Sequence, residues 1–297
     1  MNAIPGQCLL CGGPPPLVNG HLIPDFAIRR LKKDGTGFLR SQDPNRRVQD
    51  GVKEPLLCED CDGRRFSDAE TSFASRIFHP FLDGRALQFD CSEADRYFIA
   101  SLVWRAIVSR LRDPAADDAD YLHEDLAAME DAAGRLRRYL LGEERYPELE
   151  QHVLFWGPDG HGQFIGLNAY LNMANDLQIV GSTERLYAYA ILGAIVIASP
   201  LRMPAGFDEE WRGGTLLVPG GRISAGQTIN DRVFGGILAT RAEAIYKSRD
   251  SMSERQRAKV RDTFRNVDWE RLAESRHGQA LIRDYLNREA IEADEKE

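Results

Sequence analysis

Four of the five cysteines fall in two Cys-x-x-Cys pairs, Cys8/Cys11 in CLLC and Cys58/Cys61 in CEDC, while Cys91 stands alone. Each pair turns two thiolates inward from one tight knuckle, and two knuckles supply the four soft ligands of a tetrahedral zinc ion. Disulfides would need an oxidising compartment, and a thioredoxin-like redox motif uses one such pair rather than two. The expectation is a structural Zn2+ on Cys8, Cys11, Cys58 and Cys61, whose closed shell leaves no position for a catalytic water. Cys91 reads as a small buried hydrophobe.

The stretch between the knuckles, Gly12 to Leu57, is longer than the roughly 15 to 20 residues of a simple zinc ribbon. It carries LVNGHLIPDF, a basic run and a short apolar EPLLC. Val18 to Ile23 and Lys53 to Leu57 read as short strands flanked by turn residues. After the second knuckle, FSDAETSFASRIFHP reads as a helix, with Ser67 and Glu70 as a capping box, Phe73, Ile77 and Phe78 as an apolar stripe, and Pro80 as its stop. His21 thus lies on a strand between two knuckles. Residues 26–53 hold eight Lys and Arg against three Asp, 8 − 3 = +5, in a chain whose net charge is −8. Such runs are usually solvated faces; this one brackets His21 and would favour phosphate.

The motifs CLLC, GHLIPDF, QDGVKEPLLCEDCD and FSDAETSFASRIFHP together resemble the HNH, or His-Me finger, endonucleases of the zinc-knuckle type, an HNH-like group of bacterial proteins with unrelated C-terminal regions. The resemblance covers residues 8 to about 80. It implies a zinc-braced ββα-metal module that hydrolyses phosphodiester bonds in DNA, with RNA as the alternative substrate and defence against foreign DNA as the setting. His21 would be the general base, its second nitrogen held by a backbone carbonyl. Asp62, directly after the second knuckle, and Glu70, two turns along the helix, would hold a catalytic Mg2+ or Mn2+. Asn45 would match the residue that steadies the connecting loop and orients the histidine. Arg64 and Arg65 stand where the family often has a lysine, and with Arg46, Arg47 and Lys53 would contact nucleic acid. Three departures from the pattern stand out: Gly20 precedes His21 where many relatives have a polar or acidic residue, Asp62 replaces the usual Asn or His, and no second helix His is present, His79 following the helix rather than opening it.

The expected fold class is α+β: the zinc-binding module at residues 1–85, then a larger mixed region at 86–297, helical over 92–147, strand-rich over 150–220 and helical over 230–292. Ser92 caps an amphipathic helix ended by Asp113-Pro114; HVLFWG, QFIGLNAYL, LQIV, YAYAILGAIVIA and TLLVPGG read as strands, and Ser251 with Glu254 as a capping box. The longest apolar stretch, Ala188 to Ala198, is well short of the roughly 20 residues of a membrane span. The N-terminus lacks a secretory pattern, so the expected compartment is cytoplasmic. Residues 1–90 carry 12 basic and 12 acidic residues, so the whole −8 belongs to the remainder. That acidity suits regulation, a protein partner or homo-oligomer contacts, and disfavours nucleic acid unless charge is segregated. The competing function is a non-catalytic zinc-stabilised module that binds nucleic acid or protein. His152 and His161 lie at either end of HVLFWGPDGH and could bind a small ligand, though a hairpin turn explains that segment more cheaply. Glycines in GTLLVPGGRISAG lack nucleotide-binding spacing.

Overall fold

In a computed structural model the described residues are 6–35, 39–40, 43–113, 121–147, 149–157, 164–211, 215–216, 221–226 and 229–294. The chain is a mixed α+β protein built around a five-stranded antiparallel sheet with helices on both faces. In spatial order its strands are β10 (Thr215–Leu216), β6 (His152–Phe155), β9 (Ile195–Arg202), β8 (Leu186–Leu192) and β7 (Asn175–Gly181). The unbroken apolar run of β8 and β9 follows from this layering, because both faces of these strands are covered. Leu186, Ala188, Ala190, Leu192, Ile195 and Ile197 enter one hydrophobic cluster, while Tyr187, Tyr189, Ile191, Val196 and Ala198 enter the other. Period-two alternation is present, but both sets are apolar.

On the first face lies α4 (Glu93–Arg112), backed by α5 (His123–Leu141). Ser92 caps its start, as expected, here in a reciprocal capping box with Asp95, and the helix ends at Asp113. On the second face lie α6 (Leu167–Met173) and α8 (Arg232–Ser248). The α6 segment was expected as a strand. Its helical start depends on Asp284, whose carboxylate accepts from the amides of Asn168 (3.1 Å) and Ala169 (2.8 Å) across more than a hundred residues. That distant cap has no local signature. Near the C-terminus, α9 (Glu254–Arg265) is capped by Ser253, which accepts from Gln256, so the expected Ser251/Glu254 box is displaced by two residues. Two more helices follow, α10 (Trp269–Glu274) and α11 (Arg276–Asp294); a short helix, α7 (Asp208–Trp211), precedes α8, and β5 (Gln88–Asp90) pairs antiparallel with β11 (Arg222–Ser224) outside the five-stranded sheet. No described helix is long and apolar enough to cross a membrane.

The N-terminal unit rests on the other side of α4. Strand β1 (Leu17–His21) pairs antiparallel with β4 (Lys53–Cys58), His21 opposite Lys53. The intervening segment, read from sequence as a basic run, contains a helix, α1 (Asp25–Asp34), and a minimal ladder of β2 (Leu39–Arg40) with β3 (Arg47–Val48). After β4 the chain coils without interruption through a π-helical stretch Asp60–Phe66, α2 (Ser67–Phe73), a second π-helical stretch Ala74–Phe78 and α3 (His79–Leu82). Because Ser67 is already inside a helical run, it makes no cap bond and the Ser67/Glu70 box does not form. Pro80 does not stop the helix: the π turn places it in the first turn of α3, where a missing N–H is tolerated. One hydrophobic cluster runs from Cys8 and Leu10 through Phe73, Phe98 and Trp104 to Ile197, so the core is continuous across residues 85 and 86.

Candidate metal centre and histidine site

The first knuckle is shaped by its backbone. The Gly12 amide donates to the Cys8 carbonyl (2.8 Å), the Cys8 amide to the Gly13 carbonyl (2.9 Å), and the Gly13 amide to Cys11 Sγ (3.3 Å). Gly12 takes a left-handed φ of 74°, which favours glycine. The Leu9 amide donates to the Leu56 carbonyl (2.9 Å), binding this knuckle to the strand that carries Cys58. Cys61 follows in the π-helical stretch. As a result the ligand atoms of Cys8, Cys11, Cys58 and Cys61 all lie within 4.8 Å of one another, with Cys11 Sγ and Cys58 Sγ 3.8 Å apart. A tetrahedron with Zn–S of about 2.3 Å has S···S edges of about 3.8 Å. The four free thiols can therefore hold a metal ion such as zinc. The thiols differ: burial opposes ionisation of Cys8, but amides of Cys11, Cys58 and Leu10 outweigh it and bring its thiol to about 7, whereas burial pushes Cys11 up. Burial, and then the Cys8 charge, push Cys61 far up. A divalent cation would relieve that mutual repulsion.

His21 closes β1, and its neighbours fix it at several points. The Leu22 amide donates to Val52 O (3.0 Å), and Arg105 Nη1 of α4 donates to the His21 carbonyl (3.1 Å). His21 Nε2 lies 2.6 Å from Asp50 Oδ1, and Asp50 Oδ2 lies 2.7 Å from Lys53 Nζ. The Lys53 ammonium and the His21 imidazole hold the Asp50 carboxyl well below the usual carboxylate range. Gly51 leaves room for Ile28: a Cβ there would fall 2.2 Å from Ile28 Cδ1 and displace the end of that side chain, with the His21 ring 3.5 Å away. Asp25, the first residue of α1, completes a group in which the ligand atoms of His21, Asp25 and Asp50 lie within 4.8 Å of one another. Asp25 also pairs with Arg29 at 3.1 Å.

The expected site residues distribute unevenly around this histidine. Asp62 packs its carboxylate over Gly20, with Oδ1 2.8 Å from where a Cβ would be, and it enters no ion pair among the described residues. Glu70 points elsewhere: its Oε1 accepts from Arg105 Nη2 at 2.8 Å, and that buried guanidinium also bonds Ser101 and stacks over Phe66. Among the described residues the acidic partners of His21 are thus Asp50 and Asp25, not Asp62 with Glu70. Asn45 makes no hydrogen bond to the histidine among the described residues. Its amide donates to Ser251 O (3.1 Å) and its carbonyl accepts from the Ser253 amide (2.7 Å), so it bridges to the start of α9. The His21 ring is oriented by a carboxylate and not by the expected backbone carbonyl.

Of the basic residues, Arg46 is exposed, Lys53 is paired with Asp50, and Arg64 is exposed beside Asp60 (3.2 Å). Arg65 donates to Leu140 O at the end of α5 (3.3 Å), a use of cationic charge at a helix C-terminus. The Arg47 side chain lies outside the described residues, as does His161. His152 is buried against Trp211 beside Glu150, and burial lowers its pKa. Asp50 and Arg105 were not singled out from sequence. The Asp-Gly turn just before β4 marked Asp50, whereas Arg105 was hidden on an otherwise apolar helix. Comparison with protein-family models, with curated proteins and with solved structures found no match.

Proposed function

We propose that this protein is a metal-dependent nuclease in which a metal-braced ββα unit of the His-Me finger type presents His21 as general base. The observation that carries the reading is the His21–Asp50 pair, set at the end of a strand whose partner strand leads directly into the four-cysteine cluster and the following helix. With Nε2–H donated to the Asp50 carboxylate, the lone pair of the imidazole is at Nδ1, the tautomer a base needs. Nδ1 takes the proton of a water attacking phosphorus, and Asp50 stabilises the imidazolium that forms.

Asp62 supports the reading at the position where the sequence departs from the HNH pattern. Its carboxylate fills the volume that a side chain at Gly20 would occupy, so the helix delivers an acidic group to the place where many HNH relatives carry one on the strand. A half-buried carboxylate outside every ion pair among the described residues suits a hard divalent ion, and Mg2+ held there would neutralise charge on the scissile phosphate and the leaving oxygen. Arg46 and Arg64 remain exposed for phosphate contacts, with Lys53 more distant in role because it balances Asp50. DNA is the favoured substrate, with RNA as the alternative.

The test is cleavage of supercoiled plasmid and of a long RNA at low salt with added Mg2+ or Mn2+. The expected result is divalent-dependent nicking that His21→Ala abolishes while metal content and far-UV circular dichroism stay unchanged. Binding without cleavage under every divalent ion would favour a non-catalytic module, and neither binding nor cleavage would refute the reading.

A further inference from the structure

The acidity of residues 91–297 argues against nucleic acid on that part of the chain unless its charge is segregated, and α9 shows that it is. Helix α9 carries Arg255, Arg257, Lys259, Arg261 and Arg265 against Glu254 and Asp262, 5 − 2 = +3, and all five cations are exposed. It buries one residue, Gln256. Its apolar face, Val260 and Phe264 beside Gln256, is narrow, so the helix gains little from packing and is more readily explained by what its cationic side presents to a ligand. Arg261 and Arg265 are paired with Glu254 and Asp262, and Arg257 donates to Asp250 O, whereas Arg255 and Lys259 enter no ion pair among the described residues.

At the far end of the helix, Phe264 stacks on Trp269 of α10, with ring centroids 5.8 Å apart and planes 14° from parallel. The pair is open to solvent: Phe264 is 38% and Trp269 58% exposed. Exposed stacked rings beside a row of cations match what a flexible polynucleotide needs, a π-face for a base and positive charge for its backbone. The near end of α9 meets the candidate catalytic loop directly, because Asn45 bonds both Ser251 and Ser253 and Arg46 follows it. The turn carrying Asn45 and Arg46 and the start of the +3 helix are therefore neighbours.

We infer that α9 and the Phe264/Trp269 pair form a binding surface for single-stranded nucleic acid, leading from the Arg46 loop. The inference rests on the nuclease reading for its purpose, but it concerns binding alone. Phosphates lie along Arg255 and Lys259, and a base stacks on Trp269.

The experiment uses the full-length protein without added divalent ion, with 20-nucleotide oligothymidylate and oligouridylate, a 20-base-pair duplex and anionic lipid vesicles as separate probes. Binding is read by anisotropy and by tryptophan fluorescence; Trp104 and Trp211 are buried, and Trp156 is partly covered, so Trp269 is the most exposed reporter. Either single strand is expected to quench the fluorescence, and Trp269→Phe to remove most of the quenching. Trp269→Ala should weaken binding by about tenfold. The double variant Arg255→Glu, Lys259→Glu should weaken it further at low salt and reduce the logarithmic salt slope by about 1.4. Circular dichroism and metal content check that the variants fold. Single-strand binding that leaves Trp269 unquenched and ignores these substitutions would overturn the inference, as would binding only to duplex, only to vesicles, or to nothing. Cleavage is not part of the readout: quenching without any plasmid nicking would keep this surface and sink the nuclease, and nicking without quenching would do the reverse.

Discussion

Replacing Glu70 separates two roles for one carboxylate. A metal ligand can be lost with little effect on folding and a large effect on cleavage; a partner of a buried guanidinium behaves in the opposite way. Arg105 has a side chain only 3% exposed, Glu70 one 25% exposed, and their contact is 2.8 Å. Breaking a buried ion pair from one side costs about 3 to 5 kcal/mol, because the remaining charge stays desolvated. Here the cost is lower: Arg105 keeps the His21 carbonyl, the Ser101 carbonyl and the Ser101 hydroxyl as neutral acceptors, and water can approach from the Glu70 side. Glu70→Ala is therefore expected to destabilise the fold by about 2 kcal/mol, and Glu70→Gln, which keeps an acceptor, by about 1 kcal/mol. The assay is urea unfolding followed by circular dichroism, read as a lower midpoint at unchanged slope. Adding Arg105→Met to Glu70→Ala should cost less than the two single effects together, since the second change removes the stranded charge. If Glu70→Ala unfolds within about 0.5 kcal/mol of the native chain yet loses divalent-dependent cleavage, Glu70 is a metal ligand and the structural assignment is wrong.

Asp50→Asn should lower cleavage by about 10²- to 10⁴-fold, because the amide no longer fixes the imidazole tautomer; kinetics on a labelled oligonucleotide, with bound metal measured alongside, check this. Cys58→Ser, or a strong chelator, should unfold the N-terminal unit, seen as lost circular dichroism and rapid labelling of the remaining knuckle thiols. Cys91 should stay unlabelled until global unfolding, since it is buried and burial, with the Asp95 charge, pushes its thiol up to about 11. The sheet supplies a pH prediction. Burial pushes the carboxyls of Asp176 and Asp231 up, but Arg241 for the first, and Tyr187, the Phe234 amide, Trp211 and Arg185 for the second, outweigh it and hold both low. Such groups stabilise the fold above about pH 3.9, where they titrate when unfolded, and lose that contribution as pH falls through their lower folded values. Urea midpoints should therefore hold down to about pH 4 and fall below it, and Asp176→Asn should flatten that limb.

The strands β1 and β4, the second-knuckle helix, the Ser92 cap and the four-cysteine cluster were legible because each rests on neighbours in sequence. Spacing in CLLC and CEDC is local, and so is the Ser92–Asp95 box. What failed depends on distant residues. Glu70 looked like the partner of Ser67 until Arg105, thirty-five positions away, claimed it. Asn45 looked like a loop anchor beside His21, yet its partners lie beyond residue 250. The α6 helix hid behind a strand-like pattern because its cap comes from Asp284. Helix α1 was masked by its charge: Phe26, Ala27 and Ile28 are its buried face, but the lysines and arginines around them read as a solvated run.

The two knuckles stand at either end of residues 12–57, and this decides where the unit can change length. With an ion in the cluster, the chain between them is a closed ring whose ends are fixed whatever lies inside. Closing such a ring costs little more when it lengthens, about 0.6 kcal/mol for each doubling. Strand β1 and its histidine stay tied to the clasp through β4, and the β2–β3 ladder can be extended without reopening it, whereas α1 is held by its buried Phe26, Ala27 and Ile28 and by Asp25 in the His21 group. The ring is therefore where the chain can take up length while the histidine, its carboxylate and the cysteine clasp keep their places.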